Sequence, residues 1–314
     1  MSNVKILMIA ALAGLASVIA VYSAIYAGAA ASPVLVLSAL PIYVAALAWG
    51  TQAGVAASII AILASATLIS PQAAIVIGLA ITIPASIVGH QANLAQEMED
   101  GQMEWYPLTR LLFNLAIILA LALAAVGFFA DYQSYTQSPQ VVQAIDEYLR
   151  QFPPSTPLTD TEVKQLSESV FRIMPFIFAG IWLIIHIVNL QLAAMITRAS
   201  SLLPRPKDDI ISIASLPRIA IGILIVSLLG AMFLGGGLQA IAAVFAGSLL
   251  VAFSLVGLAG MHLRARNNPV GFFTLVIIYL LIVLFFIPLY LLAVPGVIRS
   301  FNQPSTNPPA AGNT

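Results

Sequence analysis

Long stretches without any charged residue dominate this chain. Asp, Glu, Lys and Arg are all absent from residues 6–96, 111–130, 173–197, 219–263 and 267–298. Apolar residues predominate within these stretches, and prolines, glycines and polar residues mark the breaks between apolar runs. A bilayer core about 30 Å thick is crossed by about 20 helical residues. The pattern therefore predicts a series of membrane-spanning helices.

Dividing the stretches at proline, glycine and polar residues gives nine predicted spans. They lie at residues 6–30, 34–49, 52–70, 73–88, 108–130, 172–197, 215–234, 238–262 and 270–298. Eight spans is the alternative count, because the second and fourth spans are short and contain Pro41 and Pro84. The first apolar run is too long for a signal peptide, so we expect it to remain as a span. The expected fold class is an all-α, polytopic transmembrane helical bundle.

Basic residues near the span ends predict the orientation. With a cytoplasmic N-terminus, eight of the twelve Lys and Arg residues fall inside and four fall outside. The inner residues are Lys5, Arg110, Arg198, Arg205, Lys207, Arg218, Arg264 and Arg266, and the outer ones are Arg150, Lys164, Arg172 and Arg299. Nine spans place the tail, residues 299–314, outside as a disordered end. We expect a multi-pass protein of a bacterial inner membrane.

The outer loop, residues 131–171, contains two helical patterns. One comprises Val141, Val142, Ile145, Tyr148, Leu149 and Phe152, and the other comprises Val163, Leu166 and Val170. Thr159 and Glu162 have the spacing of a capping box at the start of the second pattern. A short amphipathic helical hairpin is predicted, which either packs on the membrane and the bundle or covers an outward-facing pocket.

Two inner loops carry opposite charges. The first, residues 89–107, clusters four acids, and the second, residues 198–218, is basic. The acids are Glu97, Glu99, Asp100 and Glu104. The two loops either pair with each other, dock a cytoplasmic partner or are simply solvated.

A few uncharged polar residues lie inside the spans. Trp182, His186 and Asn189 share one face of the sixth span, at helical spacing. Asn114 on the fifth span lies at a similar depth to Asn189, so we expect a hydrogen bond between the two if their helices are neighbours. All four residues are candidate ligand-binding residues, and bonding between helices is the alternative. No charged residue is buried in a span, which disfavours an ion-coupled carrier of the carboxylate type.

Small residues repeat every fourth position on two spans, which allows helices to approach closely. Ala16, Ala20, Ala24 and Gly28 form the repeat on the first span, and Ala53, Ala57, Ala61 and Ser65 form it on the third. Packing inside the bundle is one interpretation. A docking face for another membrane subunit is the other.

Composition excludes several classes of protein. The chain is 61% hydrophobic and 8% charged and has no cysteine, which excludes a soluble enzyme, a nucleic-acid-binding protein and a disulfide-stabilised fold. It has no G-x-x-x-x-G-K-[ST] phosphate loop, no H-E-x-x-H zinc motif and no G-x-S-x-G nucleophile motif. We therefore expect a protein that is not an enzyme and has no cofactor or metal.

Residues 40–54 read LPIYVAALAWGTQAG, a proline-led short span followed by a G-x-x-x-G motif and a helix of small residues. This stretch resembles the early spans of energy-coupling-factor S components, membrane subunits that bind vitamins. The layout of residues 4–197 also resembles the uncharacterised YybS-like bacterial membrane proteins. The resemblance implies a six-span domain, residues 1–197, whose first-span repeat, Ala16 to Gly28, docks a transmembrane scaffold subunit. Three further spans, residues 198–298, depart from that pattern.

The leading functional hypothesis is binding and translocation of a small, largely uncharged solute. Its expected partners are the lipid bilayer and a membrane or cytoplasmic subunit of a transport complex. The competing hypothesis is a non-catalytic scaffold in cell-envelope assembly. A transporter is expected to enclose a cavity beside the face of Trp182, whereas a scaffold is expected to fill that face with side chains.

Overall fold

The computed structural model describes residues 3–27, 32–132, 143, 147, 159–266, 268–285 and 287–302. In these ranges the chain forms α-helices and one short antiparallel β-hairpin. The prediction of an all-α fold is therefore confirmed.

The first half of the chain contains seven α-helices, the β-hairpin and a π-helical segment within the described ranges. The π-helical segment, Gly78–Thr82, lies between the helices Pro71–Ile77 and Ile83–Ala92. The helices and strands are α1 (Asn3–Tyr26), α2 (Ser32–Val36), α3 (Leu40–Trp49), α4 (Thr51–Leu68), α5 (Pro71–Ile77), α6 (Ile83–Ala92), β1 (Ala95–Glu97), β2 (Met103–Trp105) and α7 (Leu108–Phe129).

The second half contains seven α-helices within the described ranges. They are α8 (Asp160–Ala199), α9 (Ile210–Ile213), α10 (Ile219–Phe233), α11 (Gly236–Ala265), α12 (Pro269–Phe285), α13 (Ile287–Leu291) and α14 (Ala293–Asn302). The central helix, α11, packs against α7, α8, α10 and α14. Because α8 also packs against α3, it joins the two halves of the bundle.

Six helices of the described chain are long and apolar enough to cross a membrane, which is the architecture of an integral membrane protein. They are Asn3–Tyr26, Thr51–Leu68, Pro71–Ala92, Leu108–Phe129, Thr161–Ala199 and Gly236–Ala265. Four further apolar segments are shorter, namely Pro33–Trp49, Ile219–Phe233, Val270–Phe285 and Ile287–Asn302. The predicted count of nine spans is not confirmed.

The predicted ninth span is not a single helix. It divides into α12, α13 and α14, because Pro288 and Pro295 each stand in the first turn of a new helix. The end of α14 packs beside the inner loop, where Arg299 Nη2 donates to the carbonyl oxygens of Ile211 and Ser212, both at 2.8 Å. The prediction that placed Arg299 at the opposite end from this loop is therefore wrong. Residues 303–314 of the tail lie outside the described ranges.

The second arm of the predicted outer hairpin is the beginning of α8. The capping box is confirmed, since the Thr159 N–H donates to Glu162 Oε2 at 2.8 Å and the Glu162 N–H donates to Thr159 Oγ1 at 3.3 Å. The helix runs for 40 residues, from Asp160 to Ala199, with Pro175 inside it. Neither glycine nor proline occurs from Asp160 to Met174, so this arm joins the span as one helix. Its length is about 60 Å, twice the bilayer core. The first arm, residues 141–152, lies outside the described ranges apart from isolated positions.

Small residues bring helices close together at several crossings. Ala53, Ala57 and Ala61 of α4 are fully buried, and a Cβ atom on Gly14 of α1 would lie only 2.6 Å from the Ala57 carbonyl oxygen. The repeat on the third span therefore packs inside the bundle. The crossing of α8 and α11 is as close, since a Cβ on Gly247 would lie 1.9 Å from the Phe176 carbonyl oxygen.

Candidate functional site

The polar face of α8 points into the bundle. His186 is 1% exposed and Asn189 is 0% exposed, while Trp182 is partly buried. All three side chains cross to backbone carbonyls of other helices. The sequence spacing thus identified the correct face but not its partners.

The carbonyl oxygen of Ala80 is the centre of this network. It accepts hydrogen bonds from Trp182 Nε1 at 2.6 Å and from His186 Nε2 at 2.9 Å. In a regular α-helix this oxygen would accept from the residue four positions later, but that residue is Pro84, which has no N–H. The two side chains of α8 therefore replace the donor that the proline lacks.

The same region of the backbone widens into a π-helix. The N–H of Ile83 donates to the carbonyl oxygen of Gly78, five residues earlier. Irregular backbone at membrane depth is tolerated only where protein surrounds it and supplies partners. Ala80 is 3% exposed and Thr82 is fully buried, so the segment meets that condition.

The hydrogen bonds of His186 determine its tautomer. Because the Ala80 carbonyl oxygen only accepts, Nε2 carries the proton, and Nδ1 then accepts from the Tyr43 hydroxyl at 3.0 Å. Tyr43 is fully buried, and its ring meets the imidazole edge-on with centroids 5.9 Å apart. Both nitrogens of the neutral ring are thus bonded to protein.

Asn189 binds a second irregular segment. Its Nδ2 donates to the carbonyl oxygens of Val36 and Ile185, both at 2.7 Å. Val36 ends α2, and the N–H of Leu40 donates to Leu37 instead of Val36. The amide of Asn189 therefore supplies a donor where the chain turns between α2 and α3.

Asn114 has different neighbours from those predicted. Its Nδ2 donates to the Tyr106 hydroxyl at 2.9 Å and to Gln91 Oε1 at 3.3 Å. The predicted bond to Asn189 is wrong, because similar depth in two helices does not place two side chains on facing surfaces. Asn114 instead joins the start of α7 to the end of α6.

These contacts fill the face of Trp182 with backbone and side chains from α3 and from the π-helical segment. A filled face is what we expect if Trp182, His186 and Asn189 have a structural role. A ligand role for Trp182, His186, Asn189 and Asn114 stays a prediction.

A cleft of ≈ 570 Å³ opens elsewhere, among α7, α8 and α11 near the start of α11. Its lining is mostly apolar and includes Leu123, Phe128, Met174, Phe178, Ile241 and Val244. Asp131 and Tyr132, which follow the end of α7, are the polar side chains of the lining. We call this space the outer cleft, because it lies at the end of the bundle that is predicted to face away from the cytoplasm. An outward-facing pocket was one interpretation of the outer loop, but the sequence pattern did not identify its lining, because the walls come from three helices distant in the chain.

A second proline lies in the wall of the outer cleft. Pro175 removes the helical donor for the carbonyl oxygen of Phe171, and the Tyr132 hydroxyl donates to that oxygen at 3.0 Å. Partial burial raises the pKa of Tyr132, so its hydroxyl remains a donor at neutral pH. Gln239 Nε2 donates to the neighbouring Arg172 carbonyl oxygen at 3.0 Å. Side chains therefore compensate for prolines at both Ala80 and Phe171.

Among the described residues, the acids of the first inner loop form no ion pair with the second, although Arg205 of the second loop donates to the carbonyl oxygens of Ala92 and Tyr106 in the first. Arg205 Nε forms an ion pair with Asp208 Oδ2 at 2.7 Å. Arg266 forms a bidentate ion pair with Asp209, in which Nη2 donates to Oδ1 at 2.6 Å and Nη1 donates to Oδ2 at 2.8 Å. The Arg266 guanidinium holds the pKa of Asp209 down at about 2. Within the described ranges, no three His, Asp or Glu side chains form a group that could hold a metal ion.

The predicted docking repeat on α1 is only partly exposed. Ala16 is exposed and Ala24 is half-buried, whereas Ala20 is 7% exposed. Gly28 lies outside the described ranges. Docking of another subunit at this repeat stays a prediction.

No protein-family model, curated protein or solved structure matches this chain. The resemblance to S components and YybS-like proteins therefore rests on the sequence alone.

Proposed function

We propose that this chain is a multi-pass protein of a bacterial inner membrane that binds a small, largely uncharged solute in the outer cleft and takes part in its translocation. The observation that carries the proposal is the cleft itself. Its volume of ≈ 570 Å³ falls within the range of about 300 to 1,000 Å³ that is common for small-molecule sites. Its apolar walls favour a solute with an apolar body.

The polar groups of the cleft limit the chemistry of the solute. The Asp131 carboxylate offers an acceptor, while the Tyr132 hydroxyl already donates to Phe171. A solute with a hydrogen-bond donor at one end would complement Asp131. A negatively charged solute would be repelled by it.

The distribution of basic residues supports a cytoplasmic N-terminus. With Arg299 beside the inner loop, nine of the twelve Lys and Arg residues fall on the proposed cytoplasmic side. The other three, Arg150, Lys164 and Arg172, belong to the long outer segment and the beginning of α8. The outer cleft then faces away from the cytoplasm.

A non-catalytic scaffold is the second candidate function. The filled face of Trp182 favours it, because that face was the expected wall of a transport cavity. A scaffold has no need for an open outer cleft that retains a molecule.

Native mass spectrometry of the full chain in mild detergent distinguishes the two functions. Gly127 lines the outer cleft, and a Cβ there would meet its nearest neighbour, Tyr132 Cβ, only at 3.9 Å. Gly127→Leu therefore fills the cleft without a backbone clash. Gly222→Leu is the matched control, because nothing lies within 4 Å of a Cβ at that exposed position.

We expect the wild type and Gly222→Leu to retain a small molecule and Gly127→Leu to lose it. Equal retention by all three proteins would reject the outer cleft as the site. If no protein retained a molecule and a stoichiometric protein subunit copurified instead, the scaffold function would be supported.

A further inference from the structure

A second, larger cleft of ≈ 920 Å³ lies at the inner end of the bundle. We call it the inner cleft. Its walls come from β2, the start of α7, the segment that leads into α10 and the end of α14. Unlike the outer cleft, it is lined by three arginines, Arg110, Arg205 and Arg218, together with several hydroxyl groups.

Arg205 lines the inner cleft and is held in place by hydrogen bonds to the surrounding backbone. The residue is only 7% exposed, and its Nη1 donates to the carbonyl oxygens of Tyr106 at 2.9 Å and Ala92 at 3.3 Å. Its Nε donates to Asp208 at 2.7 Å, so the charge of that lining acid is neutralised. Glu104 on β2 is the other acid of the lining.

Arg110 and Arg218 supply positive charge that protein groups leave mostly uncompensated. Both are exposed, and within the described ranges the side chain of Arg110 makes no hydrogen bond or ion pair. Arg218 lies over the Phe301 ring, 5.5 Å from its centroid, and makes one bond of 3.3 Å to the Phe301 carbonyl oxygen. Most of the donors on these two guanidinium groups are therefore free to bind an anion. The planar guanidinium fork matches the oxygens of a phosphate group.

Two helix starts reinforce the positive potential. α7 begins at Leu108 and α10 begins at Ile219, and both residues line the inner cleft. Neither first turn contains an acidic residue, so no carboxylate there offsets the partial positive charge of the two helix starts. Thr109 adds a hydroxyl donor to the same lining, whereas the Ser212 hydroxyl already donates to the Asp209 carbonyl oxygen at 2.9 Å.

The position of the inner cleft suits the depth of lipid headgroups. It lies where α7 and α10 begin, and Trp105 forms part of its lining. Tryptophan is enriched at the interface between membrane and water. Basic pockets between helix ends on the cytoplasmic side are typical sites for anionic lipid headgroups.

We propose that Arg110 and Arg218 make the inner cleft a binding site for a phosphate-bearing anion, either the headgroup of an anionic lipid or a small phosphorylated molecule. The proposal does not depend on solute binding in the outer cleft, because the two clefts lie at opposite ends of the bundle and share no lining residue.

The test uses the full chain in two arms. In the first arm, the protein is taken from nanodiscs that contain phosphatidylcholine and phosphatidylglycerol, and native mass spectrometry measures the phosphatidylglycerol that remains bound. In the second arm, inorganic pyrophosphate is titrated in detergent while the thermal unfolding temperature is followed. Both arms compare the wild type, the double variant Arg110→Gln/Arg218→Gln and the control Lys207→Gln. Lys207 is an exposed cation of the same inner loop that does not line the cleft.

We expect the double variant to retain at least about tenfold less phosphatidylglycerol than the wild type, since it loses two charge-assisted contacts. Lys207→Gln should behave as the wild type. If phosphatidylglycerol is not retained but pyrophosphate stabilises the wild type and not the double variant, the site is also supported and its ligand is soluble. A double variant equal to the wild type in both arms would overturn the proposal.

Circular dichroism and gel filtration establish that each variant is folded. Should the double variant misfold, Arg110→Gln alone provides the test, because Arg110 is exposed and makes no described contact that the fold would lose. Its retention of phosphatidylglycerol should still fall below that of Lys207→Gln. Equal retention in these two single variants would reject the role of Arg110.

Discussion

At the scale of single residues, the carbonyl oxygen of Ala80 explains why α8 is polar on one face. Pro84 removes the donor that a regular α-helix would give this oxygen, and the side chains of Trp182 and His186 supply two. An unsatisfied polar group in a bilayer costs several kcal/mol, so the compensation is needed for the helix to remain there. The Tyr43 hydroxyl fixes the orientation of the imidazole from its other side.

This arrangement predicts that His186→Ala lowers stability. The substitution leaves the buried Tyr43 hydroxyl without its acceptor and removes one of the two donors to Ala80, which should cost about 1 to 3 kcal/mol. Thermal unfolding in detergent, with Pro84→Ala and the double variant measured in parallel, gives the coupling between the two sites. Because Pro84→Ala restores a backbone donor for Ala80, His186→Ala should cost less in that background.

Strict additivity of the two substitutions would show that Pro84 and His186 do not act on the same carbonyl. A His186→Ala protein of unchanged stability that had lost a bound ligand would instead support the pocket interpretation of this face.

The sequence predicts the residues of this network but not its bonds. Positions 182, 186 and 189 share a face because of helical periodicity, and the capping box of Thr159 and Glu162 is equally local. The partners Ala80 and Val36 are more than a hundred residues away in the chain from the side chains that bind them. Which carbonyl lies opposite each side chain depends on helix packing, and periodicity within one helix carries no information about it.

At the scale of elements, apolar composition predicts where helices lie better than where they end. The prolines at 288 and 295 begin new helices and turn the chain back, whereas Pro175 lies inside α8 without ending it. Tyr132 and Gln239 bond the carbonyls beside Pro175 and allow the helix to continue.

The crossing of α8 and α11 gives a prediction at this scale. Gly247→Ala places a Cβ 1.9 Å from the Phe176 carbonyl oxygen, so the two helices must separate. We expect a loss of about 1 to 3 kcal/mol or more in the free energy of unfolding. Thermal unfolding measures it, with Gly222→Ala as the control because a methyl group there enters open space. Equal stability of the two variants would mean that the helices do not cross so closely.

At the scale of the whole molecule, the distribution of charge and apolar residues predicts a helical membrane bundle, and the structure agrees. The distribution of charge and apolar residues did not predict the topology of the last apolar stretch, residues 270–298. A run of apolar residues has the same composition whether it crosses the membrane once or folds back on itself. The contacts of Arg299 and Ser300 with the inner loop decide this point.

Cysteine labelling tests the topology, since the chain has no cysteine of its own. We expect Ser201→Cys and Asn302→Cys to react with an impermeant reagent from the cytoplasmic side only, and Ser138→Cys from the outside only. Asn302 follows Ser300, which accepts a hydrogen bond from the inner loop. Labelling of Asn302→Cys together with Ser138→Cys would restore the original placement of the tail.

The length of α8 has a mechanical consequence. From Asp160 to Pro175 the helix forms an arm of about 22 Å, and the proline at its base forms part of the wall of the outer cleft. A change of about 10° in the bend at Pro175 would swing the tip of this arm by about 4 Å, since displacement grows with distance from a pivot. The same rotation would shift Phe171 and Met174, which line the cleft. Any molecule that pulls or pushes on the tip therefore acts directly on the width of the outer cleft.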